Sequence, residues 1–70
     1  MPATSTTALQ PSGSEIRAAR EALGLTRAEL AVAAEASEQS VVRWELGHSR
    51  PRQTAMRRVV ATLWPESGAA

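Results

Sequence analysis

Apolar residues recur at helical spacing in four short stretches, and no stretch alternates as a β-strand would. In the first stretch, Ser12 followed three residues later by Glu15 matches a capping box, and Gly24 is typical of a helix end. Three apolar residues between them share one face: Ile16, Ala19 and Leu23. The pattern predicts a first helix that starts after Ser12, buries this face and ends before Gly24.

A second helix is predicted from about Arg27 to Ala34. Thr26 is placed as its N-cap with Glu29 as the reciprocal partner, and Leu25 and Leu30 are placed as a hydrophobic staple. The apolar face of this helix contains Leu30, Ala31 and Ala34.

Ser37 is suited to cap a third helix that reaches Leu46 and stops at Gly47. Val41 and Trp44 lie three residues apart and are expected to face inward. The opposite face would carry Glu38, Gln39, Val42, Arg43 and Leu46. Trp44 is therefore interpreted as a core residue.

A fourth helix is predicted from about Arg52 to Leu63, before Pro65. Its apolar stripe consists of Met56, Val59, Val60 and Leu63. We therefore expect an all-α domain over residues 13–65, with disordered tails at 1–12 and 66–70. The second and third helices, joined by a short turn, have the outline of a helix-turn-helix.

The amino-acid composition limits the classes of function that are expected. The chain of 70 residues has no cysteine, no aspartate and one histidine, so no nucleophile–base pair, metal cluster or cofactor site is expected, and an enzyme is disfavoured. No signal peptide or membrane span is evident, which favours the cytoplasm. All eight basic residues are arginine, a choice that suits phosphates and guanine edges but that genome base composition also produces.

Five arginines fall in one segment whose sole acid is Glu45: Arg43, Arg50, Arg52, Arg57 and Arg58. The basic part of the chain is therefore its C-terminal half. For Arg57 and Arg58 we prefer a solvated helix face, and His48 is not expected to bind a metal.

The stretch "REALGLTRAELAVAAEASEQSVVRWELG" resembles the phage-repressor and Cro-like (XRE-type, lambda-repressor-like) helix-turn-helix family, over roughly residues 14–64. The positions that carry the resemblance are Arg20, Gly24, Leu25, Thr26, Leu30, Ala31, Glu45, Gly47 and Pro51. The resemblance implies a compact four-helix domain that binds double-stranded DNA, with the third helix in the major groove. It also implies a partly buried structural ion pair between Arg20 and Glu45.

The resemblance assigns base reading to Glu38, Gln39, Val42 and Arg43. The phosphate candidates lie near helix starts: Arg27, Ser37, Arg50 and Arg52. Arg27 replaces the usual glutamine, which favours a purely electrostatic contact. Glu35 replaces the usual turn glycine, so the turn is either strained by about 1 kcal/mol or rebuilt.

The usual fifth helix of the family is not expected in this sequence. Leu63 and Trp64 then need a cover, and we expect either that Trp64 packs back over the end of the fourth helix or that it forms a homodimer surface. The function predicted is a sequence-specific transcriptional regulator of repressor or Cro type, bacterial or phage-encoded and acting at the nucleoid. The alternative is an adaptor or antitoxin that uses the same scaffold to bind a protein partner. No small-molecule ligand is evident.

Overall fold

The computed structural model describes residues 10–66. Within them the chain forms four helices and no strand: α1 (Gly13–Ala22), α2 (Arg27–Ala34), α3 (Glu38–Leu46) and α4 (Gln53–Leu63). The predicted all-α fold with a central helix-turn-helix is confirmed. No helix in this part of the chain is long and apolar enough to cross a membrane.

The predicted tails fall mainly on residues 1–9 and 67–70, which lie outside the described residues. At the N-terminal edge of the described part, Pro11 is fully buried and Ser12 caps α1. Residue 11 therefore already belongs to the folded domain, two residues before the boundary predicted at residue 13.

Local hydrogen bonds define the helix starts. Both predicted capping boxes form: Ser12 with Glu15 at α1, and Thr26 with Glu29 at α2. The Ser37 hydroxyl accepts from the Ser40 amide at 3.1 Å at the start of α3. α4 begins after Arg52, whose side chain makes no capping bond. Since caps satisfy otherwise unpaired amides, short helices can begin at these residues.

Each of the first three helices is followed, within two residues, by a residue with left-handed backbone: Gly24, Glu35 and Gly47. The amide that follows each left-handed residue bonds back across the last turn of the helix, as in Ala36 N–H to the Ala31 carbonyl at 2.9 Å. This is the Schellman arrangement, which satisfies the terminal carbonyls. Glu35 keeps the left-handed turn with φ of 56°, so the turn between α2 and α3 is strained and not rebuilt.

Two variants of Glu35 separate strain from ion pairing, because Arg58 Nη2 lies 3.6 Å from Glu35 Oε1. Glu35→Ala removes the ion pair and keeps the strain, whereas Glu35→Gly removes both. We expect the glycine variant to be more stable than the alanine variant by about 1 kcal/mol in urea unfolding. The alanine variant should lie within about 1 kcal/mol of wild type, because both partners are well exposed. Equal stability of the two variants would contradict the strain.

One core joins all four helices. α2 packs against α3 and α4, and α1 packs against the same two helices. The buried apolar residues are Ile16, Leu30, Ala31, Ala34, Val41, Trp44, Val59 and Leu63. The predicted apolar face of α2 and the inward pair of α3 are therefore in the core, while Met56 and Val60 of the α4 stripe are only half-buried.

One expectation about the core is wrong. Leu23 was expected on the buried face of α1 but is 52% exposed, because the helix ends at Ala22 and the backbone turns before the next inward position. Leu63, for which a cover was expected, is buried in the core and offers no exposed surface for a dimer. Trp64 is half-buried and packs against that core from the end of α4.

Candidate nucleic-acid interface

α3 has one face exposed to solvent, and its opposite face is anchored in the core. Val41 is fully buried and Trp44 is nearly so, which fixes the rotation of the helix about its axis. Three of the four predicted base-reading residues are exposed on the outer side: Glu38, Gln39 and Arg43. The fourth, Val42, is half-buried, so only part of its side chain is open to a ligand.

Charge is graded along this face. Glu38 lies in the first turn of α3 and Arg43 in its last turn, an arrangement that complements the helix dipole. Arg50 and Arg52 are exposed in the connection that follows, and Arg57 is exposed on α4. The C-terminal end of α3 and the connection to α4 therefore form the basic side of the surface.

The remaining phosphate candidates are already engaged within the protein. The Ser37 hydroxyl caps α3 and lies 2.9 Å from the Ser40 hydroxyl. Arg27 is half-buried and donates from Nε to Glu45 Oε1 at 3.1 Å. Arg27 is therefore part of an internal ion pair that its sequence neighbours do not predict.

Arg20 and Glu45 meet between α1 and α3. Arg20 Nε donates to Glu45 Oε2 at 2.6 Å and Nη2 to Oε1 at 3.3 Å, while Nη1 donates to the Leu25 carbonyl at 2.9 Å. The two side chains are 8% and 2% exposed. The pair is therefore buried and not merely partly buried, and the carbonyl bond links it to the segment that enters α2.

The hydrogen bond to Glu45 raises the pKa of Arg20 above its ordinary value. Burial acts in the opposite direction, and the negative charges of Glu45 and Glu21 add to the increase. Because the pKa is raised in the folded state, the contribution to stability is complete below the ordinary arginine pKa and is lost only at strongly alkaline pH. Arg20 consequently stays charged across the neutral range.

A family model described as helix-turn-helix matches residues 16–63, which is more than half of the chain. The chain belongs to the Cro/XRE-like helix-turn-helix family. Comparisons with curated proteins and with solved structures gave no significant match. Members of the helix-turn-helix family are DNA-binding regulators, and the family is not an enzyme family.

Three structural features of this helix-turn-helix domain were not predicted. Arg27 joins the Arg20–Glu45 pair, Arg58 reaches Glu35 in the turn, and Gly13 lies against the end of α3. Each depends on a contact between residues far apart in sequence, so local spacing held no signal for it.

Proposed function

We propose that this domain is a sequence-specific regulator that binds double-stranded DNA with α3 in the major groove. The observation that carries the proposal is the two-sided character of α3: Val41 and Trp44 hold one side in the core, while Gln39 and Arg43 project from the other. A helix fixed in rotation can present the same side chains to base edges in every complex. The family membership supports DNA as the ligand.

Each outward residue has a chemical match on a base edge. Gln39 suits adenine N6 and N7, Arg43 suits guanine O6 and N7, and Glu38 can accept from cytosine N4. The exposed part of Val42 suits a thymine methyl group. Glu38 also repels phosphates, so it favours sites that offer a cytosine amino group at its position.

Phosphate contacts would set the position of the domain on the duplex. Arg50 and Arg52 are exposed just beyond the C-terminal end of α3, and Arg27 and Ser37 lie at the starts of α2 and α3. The Ser37 hydroxyl is occupied by its cap, so its backbone amide is the more suitable donor. We further propose that the protein acts as a homodimer on two half-sites about one helical turn apart, as a repressor or Cro-like switch at the nucleoid.

Selection of binding sites from a random duplex pool tests this proposal. We expect enrichment of a palindrome, with about 10³-fold or greater preference over scrambled duplex. Gln39→Ala should weaken binding to the enriched site by roughly 1–3 kcal/mol and relax the preference at one base pair in each half-site. Affinity is measured by fluorescence anisotropy with each single-base variant of the site.

Gln53→Ala is the matched control for that measurement, because Gln53 is an exposed glutamine at the start of α4. It should leave the order of preference among site variants unchanged. A relaxed position in both variants, or in neither, would argue against base reading by Gln39. Enrichment of a single, non-palindromic half-site would argue against the homodimer.

A protein-binding role on the same scaffold has one observation in its favour. Val32 is 77% exposed on α2 and Leu46 is 62% exposed at the end of α3. Exposed apolar side chains of this size are suited to contact a protein partner, as in an adaptor or an antitoxin. Single exposed apolar residues are also common on monomers. If the selection enriches no DNA sequence, and the domain shows no salt-dependent binding to duplex DNA, the protein-binding function would be favoured over the first.

A further inference from the structure

The Glu45 carboxylate is shared by two arginines that are bound in different ways. Arg20 uses Nε and Nη2 on the carboxylate and Nη1 on the Leu25 carbonyl, and its side chain is 8% exposed. Arg27 uses only Nε, and its side chain is 40% exposed. Arg20 is therefore fully committed inside the protein, whereas Arg27 is attached by one edge.

The charges in this cluster do not cancel. Counting Glu21, which lies 3.7 Å from Arg20 Nη2 and also pairs with Arg17, two carboxylates face three guanidinium groups. The closer contact to Glu45, at 2.6 Å, belongs to Arg20. Within residues 10–66 the two terminal nitrogens of Arg27 have no hydrogen-bond partner. The surplus positive charge consequently resides on Arg27, the first residue of α2, whose side chain is 40% exposed.

We propose that Glu45 is a positioning residue that orients Arg27 for a DNA phosphate. The bond from Nε to Oε1 fixes the plane of the guanidinium, and the two terminal nitrogens donate to the phosphate from the opposite edge. This inference rests on the proposed DNA-binding function and adds to it a role for the buried ion pair. An arginine already held in its bound orientation loses less conformational freedom when DNA arrives.

The same bond has a purely structural interpretation, in which Arg27 only ties α2 to α3. The two interpretations differ in what happens with DNA. A structural bridge affects stability and leaves the salt dependence of binding unchanged, whereas a phosphate contact releases counterions and changes the slope of log K against log salt by about 0.9. The salt slope is therefore the decisive quantity.

The first test measures that slope with a random-sequence duplex, which needs no knowledge of the operator. Arg27→Gln should reduce the slope by about 0.9 relative to wild type. Arg17→Gln is the matched control, because Arg17 Nε also donates to a glutamate at 3.1 Å but lies on α1 beside Glu21. The control should keep the wild-type slope. An unchanged slope in Arg27→Gln overturns the inference alone, while salt-independent or absent binding by wild type removes the proposed function and the inference with it.

The second test concerns orientation by Glu45. The Arg27 Nε–H signal in NMR should stay protected from solvent exchange when the duplex is added, because the bond to Glu45 is kept in the complex. Arg27→Lys should keep most of the salt slope but bind several-fold more weakly, since a single ammonium lacks the two separate edges of the guanidinium. Loss of Nε–H protection on DNA binding, or full affinity in the lysine variant, would overturn the positioning role.

Discussion

Glu45→Ala is expected to destabilise the domain by about 3–5 kcal/mol, because it leaves the buried guanidinium of Arg20 without its carboxylate. Only the Leu25 carbonyl and the more distant Glu21, at 3.7 Å, would remain for Arg20. Small domains have free energies of unfolding of about 5–15 kcal/mol, so this variant should be partly unfolded even in mild urea. Urea unfolding followed by circular dichroism measures the effect.

Arg20→Ala should cost less than Glu45→Ala, although the two changes break the same pair. Without Arg20, the carboxylate keeps Arg27 on Oε1 at 3.1 Å, so the buried charge is still compensated. Without Glu45, the buried guanidinium has no charged partner of comparable distance. If the two variants are equally stable, Arg27 does not compensate the buried charge of Glu45.

Glu21→Ala provides the control for loss of a surface carboxylate. Glu21 pairs with Arg17, and both of these side chains are more than half exposed. It also lies 3.7 Å from Arg20 Nη2, but Arg20 keeps the closer Glu45 when Glu21 is removed. Its removal should change the free energy of unfolding by less than about 1 kcal/mol. If Glu45→Ala falls within that range, the pair is not buried in the way the structure shows.

The double variant Arg20→Met with Glu45→Leu tests whether the pair stabilises the fold or is only costly to break. Apolar residues of similar volume remove both desolvation penalties, and such replacements are often neutral or stabilising by 1–4 kcal/mol. We therefore expect the double variant to recover most of the stability that Glu45→Ala loses. Arg27, half-exposed, can turn its charge toward water in that variant.

The parts of the fold that could be predicted from sequence are those determined within a few residues. The capping residues Ser12, Thr26 and Ser37 lie three positions before their partners, so their hydrogen bonds follow from helix geometry. The turn glycines Gly24 and Gly47 adopt the left-handed backbone that ends a helix. Helix bounds were therefore predicted to within a residue or two.

Tertiary contacts account for what was not predicted. Leu23 satisfies the helical spacing of α1, yet the helix ends one residue earlier and Leu23 stays exposed. The side chain that instead fills the position four residues after Ile16 is Arg20, which is buried because Glu45 approaches from α3. Spacing alone favoured the apolar residue, because no residue near Arg20 in the sequence indicates its distant partner. That partner was indicated only by the family resemblance.

In the candidate site, too, the local features could be predicted from sequence and the tertiary contacts could not. That Gln39 and Arg43 lie opposite Val41 and Trp44 follows from helical periodicity, and the structure has these two on the exposed side. Their roles toward DNA came from the family resemblance and depend on the experiments proposed above. The contact of Arg27 with Glu45 required the packing of α2 against α3, which no local pattern specifies.

Gly13→Ala is the second substitution for which we expect a large change in the free energy of unfolding. Local helix propensity predicts the sign of this change wrongly. Alanine is favoured over glycine in a helix by about 0.5–1 kcal/mol, so the change at the first residue of α1 would ordinarily be stabilising. In the fold, a Cβ at Gly13 would overlap the Trp44 carbonyl oxygen and lie 2.8 Å from that of Glu45. We therefore expect a loss of about 2–3 kcal/mol in the free energy of unfolding.

The loss of stability should be near the upper end of the range that is typical of overpacked cores, because the obstructing atoms belong to the backbone. The Trp44 carbonyl accepts from the Gly47 amide at 3.1 Å and is part of the α3 end, so no side-chain rotation relieves the overlap. α1 must instead shift away from α3, which also lengthens the Arg20–Glu45 bonds. Ala18→Gly, at an exposed site of the same helix, measures the intrinsic preference and should destabilise by about 1 kcal/mol. If Gly13→Ala stabilises the domain by a similar amount, α1 and α3 are not as close as the structure places them.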